Sequence, residues 1–191
     1  MHTSIDKIVT GKAGDIYKQV IQDIELQDSP HKTFKSIWSA YEHGDSKSNN
    51  MNGHIFEYAV CEIFKKYNVG VLYFQCVFWG MPHDRFDIGG WTKQQRPIII
   101  SCKTSLRERW KQADMEGRLL KNIFPKAESY LITNEPVEAK AQRRRIETGT
   151  SQGIDNVFVA HESEFDKFIN ELKEKNPITC EPIIPLTGTR V

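Results

Sequence analysis

The chain has no apolar run near the roughly 18 residues that a membrane-spanning helix requires, which excludes such a helix. Its first residues, Met1-His2-Thr3-Ser4-Ile5-Asp6, carry neither the basic nor the apolar region of a secretory signal, and the expectation is a cytoplasmic protein. Cysteine is scarce. The four residues, at 61, 76, 102 and 180, include no CxxC pair, which argues against a zinc site or a disulfide framework and for reduced thiols. An excess of one charge sign is missing too: 26 Lys and Arg stand against 25 Asp and Glu, for a net charge of +1. No global basic field therefore points to nucleic acid, and that argument falls to local clusters such as Arg143-Arg144-Arg145. There is no internal repeat. What remains is ordinary globular composition over 191 residues, enough for one sizeable core. A single domain over 1–191 is expected, with a helical N-terminal region at 1–50, a core at 53–175 and an extended tail at 177–191.

Hydrophobic spacing divides the chain into helical flanks and a strand-rich middle. Ile5, Ile8 and Val9, then Ile16, Val20, Ile21 and Ile24, recur at helical intervals and predict two N-terminal helices broken near Gly11. Ser29-Pro30 closes that region. A second helical patch covers 33–41, and residues 43–50, His-Gly-Asp-Ser-Lys-Ser-Asn-Asn, read as a polar loop. From 53 to 67, the positions Ile55, Phe56, Ala59, Val60, Ile63, Phe64 and Tyr67 keep a helix period, with Glu57 on or near the buried face. Residues 71–79 are rich in β-branched and aromatic side chains and predict a buried strand; 85–91 and 98–103 predict two more. Ser105-Leu106-Arg107-Glu108 has the form of a capping box, and Leu106, Trp110, Ala113, Gly117 and Leu120 continue one helical stripe. Strands follow at 129–133 and 156–160, then a helix over 162–175 with Phe165, Phe168, Ile169 and Leu172 inward. Pro182 and Pro185 predict an extended tail. This order predicts an α/β fold with a mixed central sheet flanked by helices.

The end of the third strand carries the chemistry. Asp87 lies on the second strand and Lys103 ends the third, a spacing that lets both side chains converge at one end of the sheet. A carboxylate beside a lysine suits phosphodiester cleavage, which needs a hard cation and an activated water. Mg²⁺ takes oxygen ligands, commonly one or two carboxylates with water and phosphate, and lowers the pKa of its bound water. Lysines also end strands simply for solubility. Asp84, in the turn after Pro82, competes with Asp87 for the role; Asp87 is preferred because Phe86-Asp87-Ile88 reads as strand.

Asp87 followed by Ser101-Cys102-Lys103 resembles the PD-(D/E)xK nuclease signature, except that Ser101 stands where an acid is usual. In one branch of the type II restriction endonucleases the following helix supplies that acid, and Glu116 stands here at a similar spacing. The same branch carries an Arg-Glu-Arg triplet after the lysine, matched by Arg107-Glu108-Arg109. The stretch 57–116 is thus similar to the CCGG-type readers, the EcoRII and PspGI group, and the N- and C-terminal thirds show no such correspondence. The resemblance implies a PD-(D/E)xK restriction-endonuclease-like core in which Asp87, Glu116 and the Cys102 backbone carbonyl ligate Mg²⁺ and Lys103 organises the attacking water. It implies for Glu57 a further carboxylate, behind the ligands or on a second ion; a surface or capping glutamate is the alternative.

Arginine bonds guanine O6 and N7 bidentately and glutamate accepts from cytosine N4, so Arg107, Glu108 and Arg109, with Ser105, are candidate base readers. Alternatively, Glu108 completes the capping box with Ser105 and both arginines are solvated. Asn49, Asn50 and Asn52 occupy a region that contacts the minor groove in the resembled enzymes; a plain polar loop is the other reading. Lys140, Arg143 and Arg144, beside Arg145, are candidates for phosphate contacts, which position DNA without reading it. Trp38 and Tyr41 suit either core packing or stacking on an extruded base. The function implied is a type II site-specific deoxyribonuclease cutting double-stranded DNA at a short GC-containing site. A palindrome calls for a homodimer; the compact length also permits a monomer that nicks the strands in turn, and a cognate DNA methyltransferase is expected as a separate protein of the same system. A repair or structure-specific nuclease would keep Asp87, Lys103 and Glu116 without needing the triplet. A non-catalytic DNA-binding protein would use the carboxylates only as caps and ion-pair partners, and a small-molecule α/β domain would need none of these roles.

Overall fold

β-Branched and aromatic residues in the middle of the chain form a meander onto which the rest of the sheet is built. The computed structural model describes residues 8–22, 24–25, 27–44, 48–78, 80–178 and the backbone of 186–190. In it, β1 (Leu72–Phe78), β2 (Phe86–Trp91) and β3 (Pro97–Lys103) pair antiparallel in chain order. β4 (Glu128–Thr133) joins β3 in parallel, and β5 (Asn156–Val159) joins β4 in parallel. With β6 (Leu186–Arg190) antiparallel on β1, the sheet has six strands in the order β5-β4-β3-β2-β1-β6. The expected tail thus ends in a paired strand. Ile5, Asp45, Ser46, Lys47, Trp79, Cys180, Pro182 and Pro185 lie outside the described residues.

Helices α1 (Gly11–Gln22), α2 (Pro30–Glu42), α3 (Asn49–Lys66) and α6 (Glu164–Lys175) cover one face of the sheet. Tyr17, Phe34, Phe56, Ile63 and Phe168 meet Ile88, Ile98 and Ile100 there in the largest buried cluster. On the other face, α4 (Arg109–Ile123) and α5 (Pro136–Glu147) bury Ala113 and Ala139 against Leu131, Val157 and Val159. The fold is therefore α/β with a mixed sheet flanked by helices. No helix among the described residues is long and apolar enough to cross a membrane. Cys61, Cys76 and Cys102 are buried free thiols, and burial pushes the Cys76 thiol up to about 12.

Three local expectations are corrected. The first of the two predicted N-terminal helices falls largely on 1–7, outside the described residues; the second starts at Gly11, whose φ of +66° marks the predicted break, and Ile8 and Val9 are buried ahead of it. The polar loop is shorter than expected, because Ser48 accepts the Met51 N–H at 3.2 Å as an N-cap. Asn49, Asn50 and Asn52 consequently occupy the first turn of α3. The capping box at 105–108 does not form: α4 begins at Arg109 with no side-chain cap, and Glu108 pairs instead with Lys111. Helix α5 escaped the periodicity argument since it buries only Ala139 and Gln142, although Pro136 at its start and Arg144 and Arg145 in its last turn are helix signals. It is the crossover that the parallel pair β4–β5 requires.

Candidate active site

β2 and β3 stay in register from Trp91↔Pro97 to Ile88↔Ile100 and then part, while β3 runs on beside β4 as far as Lys103↔Thr133. Past the last ladder pair, Asp87 Oδ2 takes the Cys102 N–H at 2.8 Å and the Lys103 ammonium at 2.7 Å. The lysine is only 7 % exposed, so this is a buried ion pair rather than a solvated strand end. Asp84 belongs to the preceding turn, its N–H bonded to the Met81 carbonyl.

Glu116 arrives from α4. Its Oε2 accepts the Ser101 hydroxyl at 3.2 Å and its Oε1 the Gln112 amide at 2.8 Å. The helix is held in place by Asp114, whose Oδ1 accepts Ser151 Oγ at 2.6 Å and the Gly153 N–H at 2.7 Å. A Cβ on Gly117 or Gly153 would overlap the facing backbone, so both glycines permit this close approach. Glu57 arrives from the opposite layer, on α3, and its Oε2 accepts the Gln75 amide at 3.0 Å. Gln75 sits in β1 at φ +48°, where the β1–β6 register shifts. Before it, Leu72 and Phe74 pack into one core; after it, Cys76 and Phe78 pack into another. This is what a β-bulge does: it re-aims the side chains that follow.

The electrostatics follow from this crowding. Burial, with the charge of Asp87 adding to it, pushes the Glu57 carboxyl up to about 8 against the opposing pull of Lys103, Gln75 and Arg109. Burial also raises Glu116, outweighing Lys103 and the Gln112 hydrogen bond. For Lys103 burial works against the charge, but Asp87 and Glu116 outweigh it and its pKa is raised. A protonated lysine thus sits among carboxyl groups that repel one another. Burial holds the Cys102 thiol well above its usual range, so any contribution of this residue to a ligand set falls to its backbone carbonyl.

Beside these groups lies a polar cleft of about 390 Å³, lined by Asn49, Asn50, Asn52, Thr104, Ser105, Arg107 and Arg109. Two candidate groups separated by some fifty residues of sequence therefore share one surface. Tyr41, buried in the core, donates to Asn52 Oδ1 at 2.6 Å and orients it.

No protein-family model matches the chain, and neither does any curated protein.

Other candidates lie elsewhere. Glu108, between the two arginines, does not line the cleft and is ion-paired with Lys111. Arg143 is a tie within the fold: it donates to the Val157 carbonyl at 2.8 and 3.0 Å and pairs with Glu164. Lys140 and Arg144 are exposed on α5. Trp38 is core, its indole N–H bonded to Glu42. Among the described residues no three His, Cys, Asp or Glu side chains form a group able to hold a metal. Gln75, Gln112 and Glu138, which hold candidate groups in place, were not singled out in the sequence; only Glu138, an acid in the first turn after a proline, carried a local signal.

Proposed function

We propose that this chain is a type II site-specific deoxyribonuclease with a PD-(D/E)xK core, hydrolysing both strands of a short GC-containing DNA site with Mg²⁺ as cofactor. One observation carries the reading. Glu116 reaches Ser101, the position where the signature's acid is missing, while Lys103 at the same strand end is paired with Asp87. The donors suit a hard cation, which needs only one or two carboxylates besides water and phosphate. Among the described residues both hydrogen bonds to the Asp87 carboxylate fall on Oδ2, leaving Oδ1 for a ligand. Repulsion among Glu57, Asp87 and Glu116 is the kind of strain that a bound cation relieves.

Mg²⁺ bound between Asp87, Glu116 and the Cys102 carbonyl would supply Lewis acidity and an acidified water. The protein's own part is positional. Lys103, kept charged by Asp87, orients the water or offsets charge on the scissile phosphate. Arg107 and Arg109 read guanine from one wall of the cleft. Asn52, its carbonyl occupied by Tyr41, offers its amide N–H₂ to minor-groove acceptors, and Lys140 and Arg144 hold phosphates. A palindromic site implies a homodimer, and a separate methyltransferase would protect the same site on the host DNA.

The test is incubation with long mixed-sequence DNA and Mg²⁺. Discrete fragments that vanish with a chelator support the reading. Nicking that follows DNA structure rather than sequence points to a repair nuclease, and binding without cleavage to a non-catalytic DNA-binding protein; either result refutes it.

A further inference from the structure

The loop between β3 and α4 takes a shape that its own sequence does not favour. Arg107 has φ +20°, a conformation that side chains rarely adopt and that persists only where the surroundings impose it. The imposing group is Glu138, 31 residues along the chain in the first turn of α5. Its single oxygen Oε2 accepts the Leu106 N–H at 2.5 Å and the Arg107 N–H at 3.1 Å. Leu106 is buried in one cluster with Ala139, the residue after the carboxylate. The loop is therefore fastened to α5 by a polar and an apolar contact at adjacent positions.

The clamp also sets the start of α4, because the N–H groups of Arg109 and Trp110 return to the Leu106 carbonyl at 2.5 and 3.1 Å. A second tie runs the other way: the Arg145 guanidinium of α5 lies 4.6 Å over the Trp110 ring. Arg107 and Arg109, on either side of the clamped turn, line the polar cleft, and α5 exposes Lys140 and Arg144.

We propose that Glu138 is a positioning residue for base recognition, fixing the loop that aims Arg107 and Arg109 and coupling that aim to the exposed basic face of α5. The inference rests on the nuclease reading of the site. Two donors converging on one oxygen make the role sensitive to an acceptor rather than to side-chain volume. Glu138→Gln keeps an acceptor oxygen, whereas Glu138→Ala leaves both donors to water.

Two measurements decide it. Amide hydrogen exchange without DNA should quicken roughly tenfold or more across 104–109 in Glu138→Ala, stay near wild type in Glu138→Gln, and be unchanged in α3 for both. Exchange unaltered by Glu138→Ala overturns the clamp whatever the protein does to DNA. Once the termini of wild-type fragments define a site, binding in Ca²⁺ is compared for a duplex carrying that site and a scrambled duplex. Glu138→Ala should lose roughly tenfold in the ratio between them, with scrambled-duplex affinity within about twofold of wild type, and Glu138→Gln should recover most of the ratio. An equal loss on both duplexes means a merely structural contact and overturns the proposal, as does no loss. A wild type that yields no discrete fragments overturns the nuclease reading and the reader role together. Discrete fragments and full discrimination retained by Glu138→Ala overturn the role of Glu138 alone.

Discussion

Replacing Glu57 by glutamine should stabilise the protein, and chiefly in alkaline solution. Glu57 titrates near about 8 in the folded state because burial and Asp87 disfavour its charge, and near its ordinary 4.5 in the unfolded chain. Between those values the folded protein holds a proton that the unfolded chain has released, so stability falls as pH rises through that window. Below it both states are neutral and the penalty is absent; above it both are ionised and the penalty is complete. The span corresponds to about 5 kcal/mol at about 1.4 kcal/mol per pH unit. Relaxation of the site and entry of water relieve part of that penalty, so the expected gain for Glu57→Gln is about 2–4 kcal/mol near pH 8.5, and under about 1 kcal/mol near pH 5. Glutamine keeps an oxygen for the Gln75 amide, so packing and the hydrogen bond in β1 are conserved. The assay is denaturant unfolding of both proteins over a pH series without divalent cations. A difference between variant and wild type that is constant with pH would refute the reasoning. Saturating Ca²⁺ or Mg²⁺ should flatten the wild-type slope, since a nearby cation favours the ionised carboxylate.

Lys103→Ala should reduce cleavage roughly a hundredfold or more, while binding to the mapped site in Ca²⁺ is largely kept; single-turnover cleavage at the wild-type rate would remove Lys103 from the site. Arg107→Ala and Arg109→Ala should each cost roughly 1–3 kcal/mol of discrimination, read as binding to site and random duplexes. Lys140→Ala and Arg144→Ala should each lower the slope of log affinity against log salt by about 1. Arg143→Ala should leave that slope unchanged and instead lower unfolding stability by about 1–3 kcal/mol, because it ties the Val157 carbonyl and Glu164 to α5.

Strands were legible because their signal is local. Residues 71–79, 85–91, 98–103, 129–133 and 156–160 were predicted, and β1 to β5 fall within a residue or two of them. The approach of Asp87 to Lys103 followed from two strand positions and a turn. Helix α5 was not legible, since Gln142 occupies half of its buried face and is paid for by a hydrogen bond to Ser151 rather than by apolar area. The capping box failed for a related reason. Its residues have the right types, but the loop donors Leu106 N–H and Arg107 N–H go to Glu138, a partner no local pattern contains. Arg143 shows the same limit from the other side: a run of three arginines looks like one patch, yet each meets a different environment on a helix.

Two departures from local preference fall beside the candidate site. Asn68 and Asn176 have positive φ, but they follow helices, where asparagine in that conformation is common. Gln75, Gln95 and Arg107 do not follow helices. Gln95 lies in the β2–β3 turn, at the other end of those strands; Gln75 holds Glu57, and Arg107 lines the cleft with Arg109. The buried Asp87–Lys103 pair is likewise a poor stability device, because an apolar pair of similar volume commonly serves as well or better. Glu57 weakens the fold at neutral pH by the linkage worked out above. A stretch that includes the fully buried Ile98, Ile99 and Ile100 supplies the apolar packing beside them. Strain, a bulge, a broken ladder and buried charge all converge where β2 and β3 part. Random surface drift would scatter such features, whereas a site that must hold buried charge concentrates them.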